Sequence, residues 1–214
     1  MANRRGRFIT FEGPEGSGKT TQLHLLAERL RTSGLTVLET QEPGGTNVGK
    51  EIRQILLDAR NQDLSATAEL LLMFASRAQN VDQWILPALS AGTIVLCDRF
   101  TDSTLAYQGV GRELGSEVVS ELDRIACRGL APNLTLLFDI DPEIGLMRAR
   151  ERNRTQVMHE TRFDDYDLAV HRKIRNSFLQ LATDEPSRIQ LIDGGRTVEE
   201  VSTDVWDRIQ AFLK

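Results

Sequence analysis

The sequence predicts an α/β protein, a five-stranded parallel sheet with helices on both faces, and three observations carry that reading. Five short strand-like runs, most of them continuously apolar, read as strands buried on both faces rather than half-solvated ones. Segments with apolar residues at helical spacing lie between the runs, and such alternation implies a parallel sheet linked by helical crossovers. A glycine-rich stretch joins the first run to the first helical segment.

Taken in order, Phe8, Ile9 and Phe11 make the first strand pattern, and Leu23, Leu26, Ala27 and Leu30 make the helix after it. Ser33-Gly34 stops that helix, and residues 36–40 (TVLET) read as the second strand. Glu42-Pro43-Gly44-Gly45-Thr46 is a compact turn. A helix from about Val48 follows, with Ile52, Ile55 and Leu56 as its apolar stripe and Arg53 off it. Helices are expected over 66–80 and 81–91, with Pro87 kinking or ending the second. Residues 93–97 (TIVLC) form a third strand ending at Asp98, residues 134–140 (LTLLFDI) a fourth, and residues 189–192 a shorter fifth. A closing helix carries Val198, Val201, Val205, Ile209 and Phe212.

No repeat, low-complexity run or linker divides the chain, so residues 1–214 are expected to form one domain. The irregular segment is about 148–163. It holds five arginines, Arg148, Arg150, Arg152, Arg154 and Arg162, interrupted by Glu151 and Glu160. Arg148 and Arg150 suit a solvated helix face. Beside a bound phosphate the same run suits a short lid whose arginines close over the group, exclude water and neutralise charge.

Composition narrows the function classes. The net charge of -5, from 26 basic and 31 acidic residues, argues against a general nucleic-acid or anionic-membrane surface and leaves room for local basic pockets. Cys97 and Cys127 form no C-x-x-C and read as two buried free thiols of a reducing compartment. The opening MANRRGR lacks the apolar core of a signal peptide, and no segment approaches bilayer length, so a cytoplasmic protein is expected.

The chemistry starts at Gly13-Pro14-Glu15-Gly16-Ser17-Gly18-Lys19-Thr20, which has the Gly-x-x-x-x-Gly-Lys-Ser/Thr spacing of a phosphate-binding P-loop. Its backbone, continuing through Thr21, would wrap a phosphate at a helix N-terminus. Lys19 would meet the outer phosphates and the Thr20 hydroxyl a magnesium ion. The strand before and the helix after are the setting that motif requires. A GTP switch would carry an Asn/Thr-Lys-x-Asp element, which is absent, and motors have longer chains with coupling segments. A small-molecule kinase remains. Arg53, Arg77 and Arg99 are candidates for a second phosphate, and Asp98-Arg99 lies at a strand's carboxyl end, where open α/β sheets place ligands. An acceptor that is itself a phosphate monoester is largely ionised near neutrality, with a second pKa of about 6, and needs no general base. Catalysis is then alignment of two anions and screening by Lys19, magnesium and arginines. His24, His159 and His171 are scattered and read as structural or surface residues.

The P-loop, the Glu42-to-Thr46 turn, and Asp98-Arg99-Phe100 followed by Ser103-Thr104 and Ala106-Tyr107-Gln108-Gly109 together resemble the bacterial thymidylate kinases. The likeness is collinear over essentially the whole chain and implies a P-loop kinase-type three-layer fold. It also implies a reaction, transfer of the γ-phosphate of ATP to dTMP with magnesium, and a homodimer. By position, Lys19 matches the donor-phosphate residue. Thr20 matches the magnesium position, with Glu15 and Asp98 as further metal candidates. Glu15 matches the acidic loop residue near the acceptor's 3'-hydroxyl. Arg53 and Arg99 match acceptor-phosphate contacts. Arg77 matches an arginine reading the thymine carbonyl, and Glu42, Ser103, Thr104, Tyr107 and Gln108 fall in the acceptor pocket. The P-loop lacks the extra arginine some members carry, so the lid would supply it, with Arg152 first and Arg154 and Arg162 behind it. The thymine-stacking position falls on Met73, with Phe74 beside it, and a one-residue step turns a helical side chain by about 100 degrees, so either could face the base. Leu70-Leu71-Leu72 reads equally as a dimer face or as core.

Overall fold

The computed structural model describes residues 6–154, 162–163 and 166–214. The strands are β1 (Arg7–Glu12), β2 (Val37–Gln41), β3 (Ile94–Asp98), β4 (Leu134–Asp139) and β5 (Ile189–Asp193). They form one all-parallel sheet in the order β2-β3-β1-β4-β5. The three-layer α/β fold expected from the sequence is present.

Alternation along β1 sends its side chains to two faces. Ile9 and Phe11 join Leu23, Leu26 and Leu30 of α1 (Lys19–Thr32) and Val201, Val205 and Ile209 of α9 (Val198–Leu213) in one core. On the opposite face Phe8, Val95 and Cys97 pack against Leu70 and Phe74 of α3 (Ala66–Asn80) and Val119 and Cys127 of α6 (Ser116–Cys127). A third cluster joins Leu56 and Leu57 of α2 (Asn47–Leu57) to Ile174 and Phe178 of α8 (Leu168–Asp184). The remaining helices are α4 (Leu86–Ser90), α5 (Thr101–Thr104) and α7 (Pro142–Asn153).

Several expectations shift by a residue or two. The second strand starts at Val37, although the Thr36 carbonyl still accepts from Ile94. Helix α2 starts at Asn47 because the Thr46 side chain accepts from the Gly49 N–H at 2.9 Å and caps it. Ile55, expected on the buried stripe, is 45% exposed, since the face turned inward runs through Leu56 and Leu57. The segment around Pro87 is not one regular helix. Residues Val81–Ile85 form a π-helical turn, with Leu86 N–H bonding Val81 C=O, before α4 begins. A proline cannot donate to the carbonyl four residues back and its ring crowds it, so a widened turn before Pro87 keeps the chain helical. The expected lid begins inside α7, which carries Arg148, Arg150 and Arg152; its residues 155–161, with His159, lie outside the described residues.

The registers place the site. Phe11 and Gln41 both lie opposite Asp98, so β1, β2 and β3 end side by side. The Arg99 N–H bonds Phe11 C=O, and the Glu42 N–H bonds Asp98 C=O, both at 2.9 Å. The P-loop, the Glu42-Pro43 turn and Asp98-Arg99 therefore converge at one edge of the sheet.

Candidate active site

The loop after β1 takes shape from its glycines. A Cβ at Gly16 would lie 2.0 Å from the Gly145 carbonyl, so α7 approaches the loop as closely as backbone allows. Gly18 precedes α1 with φ 93°, a left-handed conformation that glycine adopts at little cost. It leaves the helix N-terminus without a side-chain cap, its N–H groups open to a ligand. Lys19 is 6% exposed and donates to Pro14 C=O at 2.7 Å and Ser17 Oγ at 3.2 Å. Burial, then the neighbouring Arg99 charge, brings its pKa down to about 7. Thr20 Oγ1 donates to Asp98 Oδ2 at the mouth of the loop.

A cleft of about 420 Å³ runs from this loop across the sheet edge. Glu15, Gly16, Gly18, Lys19, Thr20, Thr21 and Asp98 line one end, and Met73, Arg77, Ser103, Thr104, Tyr107 and Gln108 the other, with Glu42, Arg53 and Arg99 also on its wall. Gly13, Pro14 and Ser17 are not among the lining residues; the Gly13 and Pro14 carbonyls accept from Arg99 and Lys19, and the Ser17 hydroxyl accepts from Lys19. Arg99 joins the two ends. It adopts φ 69°, rare for a side-chain-bearing residue. Its Nη1 donates to Gly13 C=O at 3.0 Å and Ser103 Oγ at 2.9 Å, and its Nη2 to Glu15 Oε1 at 3.0 Å. The other Glu15 oxygen accepts from the Tyr107 hydroxyl. Burial pushes the Glu15 carboxyl up, but Arg99, Lys19 and Tyr107 outweigh it and the net shift is downward. Of the three expected metal ligands, the structure thus pairs Thr20 with Asp98, while both Glu15 oxygens are held by Arg99 and Tyr107. A hydroxyl and a carboxylate are hard oxygen donors that suit magnesium, an ion that takes one or two protein ligands beside phosphate oxygens and water.

Arg77 is buried between the rings of Phe74 and Phe100, 4.9 and 5.0 Å from its guanidinium carbon. Its Nε donates to Glu42 Oε2 at 2.5 Å, and its Nη2 to Phe100 C=O at 3.2 Å and Thr104 Oγ1 at 2.9 Å. Phe74 therefore stacks under Arg77 and does not reach the cleft wall, which Met73 lines instead. The spacing held the clue, since Met73 lies four residues before Arg77 and shares its helix face. Arg53 Nη1 donates to Pro43 C=O at 3.0 Å.

The lid arginines separate. Arg152 and Asn153, at the end of α7, line the cleft. Arg154 is exposed, and Arg162 is buried, donating to Leu56 C=O at 2.7 Å and to Glu69. Phe163 lines the cleft and packs edge-on to Tyr107, with ring centres 5.9 Å apart.

Two buried carboxylates lie outside the site residues expected from the sequence, Glu12 and Glu69. Glu12 accepts from the Phe100 N–H at 2.7 Å and Ser103 Oγ at 2.5 Å, and burial together with the Asp102 charge raises its pKa to about 7. Glu69 lies on the face of α3 that carries Met73 and Arg77, a four-residue spacing that could have drawn attention to it. His171 is buried, with Nδ1 3.9 Å from Glu15, whereas His24 is exposed beside Glu39.

The thymidylate kinase family model matches residues 11–205. Thymidylate kinase of Pelobacter propionicus is 52% identical over 198 residues, 92% of this chain and 90% of that protein. The Geotalea uraniireducens thymidylate kinase is 48% identical over 209 residues, 97% of this chain and 98% of that protein. The crystal structure of thymidylate kinase from Ehrlichia chaffeensis superposes with a TM-score of 0.78 at 32% identity, covering 95% of this chain and 98% of that one. With a P-loop and an arginine-lined second pocket sharing one cleft, and near full-length likeness to these proteins, this chain belongs to the thymidylate kinase family.

Proposed function

We propose how this chain carries out the family reaction, transfer of the γ-phosphate of ATP to dTMP to give dTDP and ADP. The observation that carries the proposal is Arg99, which bonds the P-loop backbone and Glu15 on one side and Ser103 on the other, in a cleft lined by both walls. The ATP phosphates lie in the loop of residues 13–21, where Lys19 exchanges its Pro14 and Ser17 partners for phosphate oxygens. The monophosphate of dTMP meets Arg99 and Arg53. Its base meets Met73 on one face and Arg77 and Gln108 at the edge, while Glu15 and Tyr107 hold the sugar side. A dTMP phosphate oxygen attacks the γ-phosphorus, the bond to the β–γ bridging oxygen breaks, and ADP leaves with that oxygen. The attacking oxygen carries no proton near pH 7, so no side chain acts as a base. Lys19, Arg99 and Arg152 stabilise the charge on the transferring group. Thr20 and Asp98 would hold magnesium, which supplies charge neutralisation between the donor phosphates.

The same reading treats residues 1–214 as one kinase domain with its lid over about 148–163. Exposed apolar side chains of the packed helices α3 and α6, Leu71 at 52% and Ile125 at 66%, with Trp84 at 44%, support a homodimer through that face. Among the described residues no helix is long and apolar enough to cross a membrane, and both cysteines are free and buried, which supports a cytoplasmic enzyme.

The test is turnover of the thymidine, deoxyuridine, deoxycytidine and deoxyguanosine monophosphates and of free thymidine, with ATP and with or without magnesium. Magnesium-dependent turnover that favours dTMP is expected. Preference for another acceptor would overturn the roles of Arg77, Tyr107 and Gln108, and no turnover at all would favour a regulatory module. Arg152→Ala should lower kcat by ~100-fold with little change in the KM for ATP. A loss confined to KM would make Arg152 a docking residue.

A further inference from the structure

Glu69 has no exposed surface, and groups from three other parts of the chain converge on it. Gln108 Nε2 donates to its Oε1 at 2.8 Å, Arg162 Nη2 donates to its Oε2, and Arg112 Nε lies 3.5 Å from the same Oε2. Both arginines are also tied to backbone, Arg162 to Leu56 C=O at 2.7 Å and Arg112 to Leu64 C=O at 2.8 Å. The carboxylate is therefore held from two sides and cannot turn away from Gln108.

This has a chemical consequence at the cleft. A carboxylate only accepts, so the end of the Gln108 amide that faces it must be the NH₂ group. The planar amide then points its carbonyl oxygen the other way. Gln108 lines the cleft, and among the described residues no donor meets that oxygen. On the same wall, the bonds of Arg77 to Glu42, Phe100 and Thr104 use its Nε and Nη2 hydrogens, and Nη1 makes one long contact of 3.5 Å to Thr101. A guanidinium carries five N–H groups, so at least one Nη1 hydrogen remains for a ligand. The wall thus offers an acceptor and a donor. Thymine matches them with its N3–H and a carbonyl oxygen, whereas cytosine presents an acceptor at N3 and an amino group at C4.

We propose that Glu69, itself outside the cleft, is the positioning residue that fixes Gln108 with its carbonyl oxygen toward the acceptor base, and so sets the preference for a base bearing an N–H beside a carbonyl. The inference rests on the reading of Gln108 as part of the dTMP pocket.

The experiment compares kcat/KM for dTMP and dCMP in wild type, Glu69→Gln, Gln108→Leu and the double variant. A glutamine at 69 accepts or donates and so frees Gln108 to present either end. The expected result is a fall of about tenfold in kcat/KM for dTMP, carried mainly by KM, with the dTMP-over-dCMP preference narrowed by a similar factor and the KM for ATP unmoved. Gln108→Leu narrows the same preference, and adding Glu69→Gln to it narrows it no further, because both act through one bond. Wild-type preference in Glu69→Gln, with preference lost in Gln108→Leu, overturns the role of Glu69 and leaves the pocket reading standing. Unchanged preference in Gln108→Leu overturns the pocket reading of Gln108 and the proposal with it. Further narrowing in the double variant overturns the route through Gln108. Should Glu69→Gln not fold, NMR of the wild type decides. The Gln108 side-chain amide protons, assigned as the pair missing in Gln108→Leu, should exchange slowly in the free enzyme and keep their shifts when dTMP saturates it. Exchange at the rate of a solvent-exposed amide overturns the proposal.

Discussion

Lys19 is a cation held out of water that donates to the neutral oxygens of Pro14 and Ser17, and its pKa of about 7 follows from that burial and from Arg99 nearby. In the proposed complex the phosphate oxygens of ATP would stabilise the charged form and raise its pKa. The sign of the coupling is then fixed. Below pH 7 the lysine is already protonated and binding takes up no proton. Above it, binding takes up as much as one proton, and affinity falls by as much as about tenfold per pH unit. Calorimetry of ATP binding at pH 8 in buffers of different ionisation enthalpy should show this uptake, and no uptake would mean that Lys19 is charged in the free enzyme. At this scale the sequence was partly legible. Lys19 and Thr20 were readable from spacing alone, because a P-loop needs them at fixed offsets from its glycines. The Arg77 bonds to Glu42, Phe100 and Thr104 were not, since 35, 23 and 27 residues separate those pairs.

The elements show how the site is braced. Helix α7 packs on the P-loop through paired glycines, and a Cβ at Gly145 would lie 2.3 Å from the Glu15 carbonyl. The same helix ends at the cleft with Arg152, so one element positions both the loop and the arginine. Gly145→Ala should push the two apart. A loss of about 1–3 kcal/mol in stability is expected, with a several-fold rise in the KM for ATP. Thermal melts with and without ATP would register both effects, and an unchanged melt and KM would show that the contact does not set the loop. The segment after Asp98 illustrates what the sequence did not reveal. Residues Leu105–Gly111 form a π-helical turn after α5, and Ser103 and Thr104 of α5 reach the cleft together with Tyr107 and Gln108 of the turn. Periodicity near 3.6 residues does not describe a widened turn, so the pattern gave no helix there.

For the whole molecule, the unexplained surface is the apolar face of α3 and α6. Leu71, Val118 and Ile125 are 52%, 44% and 66% exposed, while Leu70 beside them is buried in the core. Leu70-Leu71-Leu72 thus serves neither purpose as a block, because successive helical residues turn to different sides. If the face joins two copies, Ile125→Lys should convert a dimer to a monomer in sedimentation velocity, since burying an unpaired charge opposes association. A monomeric wild type would instead remove the dimer from the proposed function.

The sequence by itself determined the parallel α/β sheet, the P-loop between its first strand and helix, and the family. These depend on local periodicity and on glycines and polar residues at fixed short spacings, which a linear chain records directly. Only the tertiary structure decided which neighbours share the work. It put Met73 rather than Phe74 on the cleft, Arg152 at its edge with Arg162 buried against Glu69, and Glu15 on Arg99 and Tyr107 rather than on the Thr20–Asp98 pair. Those choices arise where strand ends converge and distant carboxylates meet buried guanidiniums. Desolvation there compels each charge to find a partner that sequence spacing does not reveal.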